Sequence, residues 1–286
     1  MPELPELDAA VEQLRDRVVG HRFREFQVVA FSVLKTAEPP HTSLAGRKLT
    51  GVSRRGKFLL MEAEGRHAVV HLALAGWLKL GEGMASGKPP ARSGPLAVRL
   101  DFEGDDAARL DFTEQGKRKS MALWITDNPN SLERLQRLGP EADAVTLDEF
   151  AEMLSGTASR LKTILTDQTV MAGIGNAWSD EILHRAKLSP FAAANKVNAE
   201  QVRTLHAALQ EVLTEAKAAL TNVPLDRIKA TKKSLFGVHD RAGQACAVCG
   251  GTVAEVSYVD RSMQYCPTCQ TDGKKLSDRR MDRLLK

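Results

Sequence analysis

The four cysteines constrain this chain more than any other feature of its sequence. They form two pairs, Cys246-x2-Cys249 and Cys266-x2-Cys269, separated by sixteen residues. Each pair is typical of a tight turn that presents two thiolates to one ion, and two pairs complete a tetrahedron. The spacing predicts one structural zinc ion, because four protein ligands leave no open coordination position. A redox pair or four unrelated thiols are the alternatives, and the double spacing disfavours both.

The segment between the cysteine pairs predicts a β-hairpin. Val253–Val259 and Ser262–Tyr265 are the two expected strands, with Asp260-Arg261 at or near the tip. An arginine at the tip of a hairpin that a metal ion holds in place is suited to contact a phosphate or a DNA groove. Without the neighbouring cysteine pairs, Arg261 would be interpreted as a solvated loop residue. After Cys269, residues Lys274–Lys286 carry six basic and two acidic side chains, typical of a frayed solvated tail or of a nonspecific DNA-binding arm.

Composition sets broader limits. The 286 residues are 43% hydrophobic and 27% charged, and no apolar run approaches the roughly 20 residues that a membrane span needs. The N-terminus is acidic and lacks the apolar segment of a signal peptide, so we expect a cytoplasmic protein with no membrane partner. A net charge of +4 permits nucleic-acid binding without requiring it. Only 5% of residues are aromatic, which disfavours base stacking along a single-strand groove.

The first half of the chain predicts a helix followed by a sheet-rich domain. Residues 5–19 have the apolar spacing of an amphipathic helix that ends at Gly20. Alternating β-type runs separated by turn residues then favour a β-sandwich. These runs are Phe26–Phe31, Lys57–Glu62, Ala68–Leu74, Leu96–Phe102, Ala108–Phe112 and Met121–Ile125.

Helical patterns replace the strands after Asn128, so the predicted class is α+β with a boundary near 128–135. Thr146 with Glu149, and Asn198 with Gln201, form capping-box patterns at the starts of two helices. A third helix is predicted over Ala177–Lys187. No internal repeat is present.

The loop Ala172-Gly173-Ile174-Gly175-Asn176 opens that third helix. Glycines at a helix N-terminus let backbone N–H groups approach an anion. The loop lacks the third Rossmann glycine and the Gly-Lys-Ser/Thr ending of a P-loop, so a nucleotide cofactor is disfavoured. A DNA phosphate and a purely structural helix–helix turn both remain open.

The opening segment Met1-Pro2-Glu3-Leu4-Pro5-Glu6 has a plain interpretation and a chemical one. In the plain interpretation it leads into a helix whose dipole favours two acids. In the chemical one, removal of Met1 exposes a secondary amine with a pKa of roughly 7.7–8. That amine can attack a sugar C1′ and form an iminium, while Glu3 moves the protons that ring opening requires.

These features together resemble the formamidopyrimidine-DNA glycosylase family, which includes endonuclease VIII. The resemblance runs in order from residue 2 to about 270 and is most specific in the opening hexapeptide and the cysteine finger. The other matching motifs are Arg54-Arg55-Gly56-Lys57-Phe58-Leu59-Leu60, His71-Leu72-Ala73-Leu74-Ala75-Gly76 and Asp167–Asn176.

The resemblance implies a fold with a catalytic β-sandwich at 2–130, a helix–two-turn–helix domain at 131–235, a four-cysteine zinc finger at 236–272 and a basic tail at 273–286. DNA would lie between the domains with the damaged nucleotide flipped out of the stack.

The resemblance also implies roles for individual residues. Pro2 would be the nucleophile, Glu3 its acid/base partner and Glu6 their support. The family's DNA-phosphate contacts match Lys57, assigned with the catalytic group, and His71, Gly175, Asn176 and Arg261. Without the family, Lys57 would be read as a strand-edge lysine and His71 as a packing histidine.

Four departures from the family pattern put the preferred lesion in doubt. Leu74 stands where a methionine wedge is usual, and Lys117 and Arg118 stand in place of an Arg-Arg-Phe segment. The stretch Lys229–Ser234 replaces the glycine-rich loop that covers 8-oxoguanine, and Val238–Arg241 replaces a tyrosine-bearing stretch.

The function predicted from the sequence is base-excision repair of damaged double-stranded DNA by a monomer. A bifunctional glycosylase and lyase would remove oxidised or ring-opened bases through a Pro2 Schiff base, with β/δ-elimination. One alternative is a non-catalytic zinc-finger protein that binds damaged DNA on the same scaffold. An RNA-binding protein is a second alternative, disfavoured by the few aromatic residues.

Overall fold

The computed structural model describes residues 1–82, 94–104, 108–115, 119–258 and 262–277. The chain forms two compact units, one comprising Met1–Arg137 with Ala219–Thr231 and the other Leu138–Ala218 with Lys232–Lys286. Within the described ranges, no helix combines the length and apolar character needed to cross a membrane.

The described residues of the first unit form a long helix and eight strands. The helix α1 spans Leu4–Val18, and a single helical turn, α2, spans Glu133–Gln136. The strands are β1 (Phe23–Val28), β2 (Leu49–Arg55), β3 (Phe58–Ala63), β4 (Arg66–His71), β5 (Gly76–Glu82), β6 (Leu96–Phe102), β7 (Ala108–Glu114) and β8 (Ala122–Thr126).

The strands form two four-stranded antiparallel sheets, in the orders β1-β6-β7-β5 and β2-β3-β4-β8. Alternate residues of β7 are buried, as expected for a strand with one face on a core. Apolar side chains of both sheets and of α1 share one buried cluster, which includes Leu14, Met61 and Phe112. The predicted β-sandwich is confirmed.

Some observed strand boundaries differ from those predicted from the alternation of apolar and polar residues. The run predicted at Phe26–Phe31 is β1 at Phe23–Val28, and Phe31 instead begins a short 3-10 turn with its ring largely exposed. The run predicted at Ala68–Leu74 ends at His71, because Ala73 has a φ of 53° that no strand tolerates. Strands β2 and β5 were not predicted, since glycines and basic residues interrupt their apolar pattern.

The described residues of the second unit form helices and a small hairpin. Its helices are α3 (Leu147–Ser155), α4 (Leu161–Thr166), α5 (Asn176–Arg185) and α6 (Ala199–Leu220), whose last two residues belong to the first unit. The helix α7 (Leu225–Ser234) is divided between the units, and β9 (Ala254–Ser257), β10 (Ser262–Tyr265) and the single turn α8 (Pro267–Gln270) follow.

Both predicted capping boxes are present in the second unit. Thr146 N–H donates to the Glu149 carboxylate at 2.9 Å, and Glu149 N–H donates to Thr146 Oγ1 at 3.3 Å. Asn198 and Gln201 exchange the equivalent bonds at 2.9 Å each. These local contacts explain why α3 and α6 begin where the sequence indicates.

Candidate functional site

The first candidate site is the start of α1. Pro2, Glu3 and Glu6 are all buried, and the Glu3 N–H donates to Glu6 Oε2 at 2.7 Å. Pro5 occupies the first helical turn, where its missing N–H costs nothing. Two carboxylates are therefore held next to Pro2 at a helix N-terminus, where the dipole favours negative charge.

An ion pair ties α1 to the turn that carries Lys57. Arg54 Nε donates to Asp8 Oδ1 at 2.6 Å, and Arg54 Nη1 donates to the Gly56 carbonyl at 3.1 Å. Gly56 and Lys57 connect β2 to β3, and Lys57 is only 6% exposed. The same arginine thus fixes both the helix and the turn, so the ammonium group of Lys57 extends from a braced backbone.

His71 lies one strand away, at the end of β4. It pairs in register with Phe58, and the two ring centroids are 4.8 Å apart. Burial, together with the positive charges of Lys57 and Arg134, lowers the pKa of His71 to about 4. His71 is therefore neutral at physiological pH and can offer a phosphate one N–H but no charge.

Leu74 is presented on the turn between β4 and β5. Its side chain is 71% exposed. The turn is tight, because a Cβ on Gly76 would lie 2.0 Å from the Leu72 carbonyl oxygen. The backbone therefore requires glycine at 76 in order to project Leu74 outward.

Glu114 anchors both ends of the segment that contains the predicted Lys117 and Arg118. Its Oε1 accepts from Ser120 N–H at 2.7 Å and from Met121 N–H at 3.0 Å, and it is almost fully buried. Lys117 and Arg118 themselves lie outside the described residues. Glu114 was not predicted as a functional residue, because in the sequence it is one residue of an alternating strand.

The second candidate site begins at the glycine loop before α5. Gly173 has a φ of 106°, which favours glycine. The Gln168 side chain braces the loop by accepting from Gly173 N–H at 3.0 Å and donating to the Ile174 carbonyl at 2.8 Å. Gly175 is the N-cap of α5 in extended conformation. A helix begins here as predicted, although its first residue is Asn176 and not the predicted Ala177.

One face of α5 contacts the finger at three points spaced four residues apart. Asn176 Nδ2 donates to the Ser262 carbonyl at 2.7 Å, and Asp180 Oδ2 accepts from Gln264 N–H at 3.2 Å. One turn further, His184 Nε2 lies 3.3 Å from the sulfur of Cys246. Residues at i, i+4 and i+8 share a helix face, so a single stripe of α5 positions the finger.

Asp180 is the central residue of this stripe. Its Oδ1 accepts from Lys162 Nζ at 2.6 Å, and its Oδ2 lies 2.8 Å from His239 Nδ1. Lys162 also donates to the Asn176 carbonyl at 2.8 Å and to Ser179 Oγ at 2.9 Å. The buried carboxylate thereby connects α4, α5 and the segment that leads into the finger.

Glu181 holds the same segment through its backbone. Its carboxylate accepts from the N–H groups of Gly237, Val238 and His239 at 2.8–3.0 Å. Burial raises the pKa of Glu181, and these three bonds oppose that rise. The backbone before the first cysteine is therefore fixed at consecutive residues.

The four predicted metal ligands converge. The sulfurs of Cys249 and Cys266 are 3.4 Å apart, and those of Cys246 and Cys269 are 3.9 Å apart. A tetrahedral ion with metal–sulfur bonds of ~2.3 Å requires sulfurs about 3.8 Å from one another. The cluster therefore fits a zinc-sized ion. Arg261 lies outside the described residues.

Comparison with known proteins agrees with this arrangement. The model of the formamidopyrimidine-DNA glycosylase N-terminal domain matches residues 1–121, and that of the formamidopyrimidine-DNA glycosylase H2TH domain matches residues 138–222. The chain is 33% identical over 279 residues to the formamidopyrimidine-DNA glycosylase of a Roseiflexus species, covering 94% of this chain and all of that one. This chain belongs to the formamidopyrimidine-DNA glycosylase family.

Other known proteins match as well. The chain is 54% identical over 149 residues to an uncharacterised formamidopyrimidine-DNA glycosylase-like protein of Mycobacterium tuberculosis, covering 52% of this chain and 94% of the relative. The solved Lactococcus lactis Fpg, in a complex with DNA containing an abasic site, is 25% identical with a TM-score of 0.81, covering 94% of this chain and 99% of that one. The predicted fold class is confirmed, and the domain bounds stay predictions.

Substitution of Gly76 tests the turn that presents Leu74. Gly76→Ala should destabilise the protein by about 1 to 3 kcal/mol, because the new methyl group overlaps the Leu72 carbonyl. Gly81→Ala is the matched control in the same strand, where the nearest atom would be 3.9 Å away. Urea unfolding of both variants measures the difference, and equal stability would contradict the steric argument.

The depressed pKa of His71 predicts a pH-dependent stability. The unfolded imidazole takes up a proton near pH 6.5 while the folded one stays neutral down to about pH 4. Stability from this group is therefore complete above pH 6.5 and falls, by at most ~1.4 kcal/mol per pH unit, as the pH drops toward 4. His71→Gln should flatten that dependence relative to wild type in urea unfolding at pH 7.5, 6 and 4.5. Parallel curves for the two proteins would refute the neutral, half-buried imidazole.

Proposed function

We propose that this chain is a DNA glycosylase that removes a damaged base and then cuts the abasic strand, with Pro2 as nucleophile. The observation that carries the proposal is the start of α1, where Glu3 and Glu6 are buried directly beside Pro2. Binding alone requires neither a proline at position 2 nor two buried acids. The family membership supports the same conclusion.

The chemistry follows from the amine that removal of Met1 would expose. The Pro2 nitrogen attacks C1′ of the damaged nucleotide, the bond from C1′ to the base breaks, and the base leaves with a proton. Loss of the single N–H proton and opening of the sugar ring give an iminium. Glu3 protonates the ring oxygen as the ring opens. The Glu6 carboxylate fixes Glu3 by accepting a hydrogen bond from the Glu3 backbone N–H.

Strand cutting proceeds from that iminium. The positive nitrogen acidifies C2′, so a proton leaves C2′ and the 3′ phosphate departs in β-elimination. A second elimination releases the 5′ phosphate, and water then hydrolyses the iminium to free Pro2. No redox partner or nucleotide cofactor is needed for these steps.

The remaining predicted residues are assigned to DNA binding. Lys57 supplies a buried positive charge for a phosphate close to Pro2, while the neutral His71 supplies a hydrogen bond. Leu74 is the exposed apolar side chain that enters the base stack. Gly175 and Asn176 offer a phosphate a helix N-terminus. From the sequence alone, Lys117 and Arg118 are assigned to the opposite strand and Arg261 to a phosphate.

The metal that we assign to the cysteine cluster is zinc, with a structural role. Four thiolates at Cys246, Cys249, Cys266 and Cys269 complete its tetrahedron. When bound, zinc supplies folding energy to the finger and no reaction chemistry. We further propose that the enzyme acts as a monomer on double-stranded DNA.

Blocking the Pro2 amine should abolish the covalent intermediate. A tag left on the N-terminus acylates the Pro2 nitrogen, so borohydride should trap no adduct on abasic DNA and strand cutting should fall to background. The same tag placed at the C-terminus is the control and should leave trapping intact. Fluorescence anisotropy should show that both proteins still bind abasic DNA.

The same comparison separates the proposed enzyme from the second candidate, a non-catalytic protein that binds damaged DNA. That protein would bind the duplex and yield no adduct with either tag. An adduct of equal yield with both tags would instead show that another amine is the nucleophile. Either result would overturn the assignment of Pro2.

The lesion preference follows from the stretch before the finger. A flipped base must be contacted at its edges and covered on its face. Here the ten residues of α7 are helical, and the backbone N–H groups of Gly237, Val238 and His239, which begin three residues further on, donate to the Glu181 carboxylate. This stretch offers no free glycine-rich loop, so we propose that 8-oxoguanine is a poor substrate and that oxidised pyrimidines or ring-opened purines are better ones.

Single-turnover cleavage tests this preference on matched duplexes carrying 8-oxoguanine opposite cytosine, an oxidised pyrimidine, or an abasic site. Abasic DNA needs no base pocket and should be cut fastest, with 8-oxoguanine slowest by a factor of about 10 or more, corresponding to ~1.4 kcal/mol. If 8-oxoguanine is excised as fast as the abasic site is cut, the covering stretch does not limit recognition. The abasic duplex controls for intact lyase chemistry in every preparation.

A further inference from the structure

The imidazole of His184 lies at the edge of the cysteine cluster. It belongs to the last turn of α5, is 8% exposed, and its Nε2 is 3.3 Å from the sulfur of Cys246. Nothing in the C-x2-C spacing points to it, because it precedes the first cysteine by 62 positions. A histidine nitrogen at this distance from a thiolate cluster is a fifth potential metal ligand.

The cluster contains two overlapping sets of four donors. One set is the four cysteines. In the other, the ligand atoms of His184, Cys246, Cys266 and Cys269 all lie within 4.8 Å of one another. The two sets share the sulfurs of Cys246, Cys266 and Cys269, which are buried or half-buried. They differ in the fourth donor, which is the exposed Cys249 in one set and the buried His184 in the other.

We propose that His184 is a reserve zinc ligand. When Cys249 is bound to the ion, the His184 N–H donates a hydrogen bond to the Cys246 thiolate. When Cys249 leaves the ion, neutral His184 Nε2 takes its place and the site becomes Cys3His. Four cysteines, or three cysteines and one histidine, are both ligand sets of structural zinc sites, so the exchange would leave the ion with four protein ligands.

The position of His184 is held by the rest of its helix. Asn176 and Asp180 bind the backbone of β10 at Ser262 and Gln264, on the same face of α5. These contacts fix the helix against the hairpin independently of the metal, so the imidazole stays next to the cluster when one sulfur departs. Exposed Cys249 is the member most accessible to competing reagents, and the buried histidine protects the site against its loss.

The decisive experiment substitutes the ligands that distinguish the two sets. Cys249→Ser should retain close to one zinc per chain by metal analysis. With Co²⁺ in place of zinc, it should keep tetrahedral d–d absorption while thiolate-to-cobalt charge transfer falls by about a quarter, as three thiolates replace four. Adding His184→Phe to Cys249→Ser should lower zinc affinity in a chelator competition about 100-fold.

Two further variants serve as controls. Cys266→Ser removes a ligand common to both sets, so its zinc affinity should fall whether or not His184 is present. His184→Phe with all cysteines intact should still bind one zinc but release it to a chelator about 10-fold faster. A purely hydrogen-bonding His184 would leave no nitrogen signature in the cobalt spectrum of Cys249→Ser.

Two results would overturn the proposal. One is zinc loss in Cys249→Ser as complete as in Cys266→Ser. The other is zinc retention in Cys249→Ser that His184→Phe does not change. Because the measurements concern metal binding, they are independent of Pro2 chemistry, and borohydride trapping on the same preparations reports that function separately.

Discussion

The carboxylate of Asp180 is buried within the second unit and faces three donors from three different segments. It bonds Lys162 of α4, the imidazole of His239 before the finger, and the backbone of Gln264 in the hairpin. A buried charge costs several kcal/mol unless its partners are complete. Truncating Asp180 would leave the Lys162 ammonium buried without its counter-ion, so α4, α5 and the finger depend on one another through this group.

The finger needs such support because its own core is small. One apolar cluster consists of Val238, Cys246, Val253 and Cys266, and a second is built around Val256, Met263 and Tyr265. Clusters of this size cannot offset the entropy of ordering the segment. The stripe of α5 and the zinc ion that we propose at the cysteine cluster would supply the difference, and this need accounts for the three contacts that a helix outside the finger makes with it.

Patterns that are local in sequence were predicted well. The capping pairs Thr146–Glu149 and Asn198–Gln201 bond within four residues, and β6 was predicted at its observed bounds, Leu96–Phe102. The C-x2-C spacing likewise predicted that the four cysteine sulfurs would converge. In each case the residues that determine the local structure lie close together in the sequence.

Residues whose partners lie far along the chain were missed. Asp180 contacts residues 59 and 84 positions away, and His184 contacts one 62 positions away. The available signal was the repetition of polar residues at 176, 180 and 184 within a largely buried helix. Polar side chains at i, i+4 and i+8 on a buried face require partners, so the stripe could have been recognised, but the partners could not have been named.

The charges near the first candidate site show that placement matters more than net charge. The chain carries only +4 overall, too little for a strong general attraction to DNA. Burial, together with the positive charges of Lys57 and Arg134, keeps His71 neutral at physiological pH. Lys57 carries its charge on a turn braced by Arg54 and Asp8. A phosphate that binds there is attracted and also aligned, because the backbone that carries the ammonium group is fixed to the helix that begins beside Pro2.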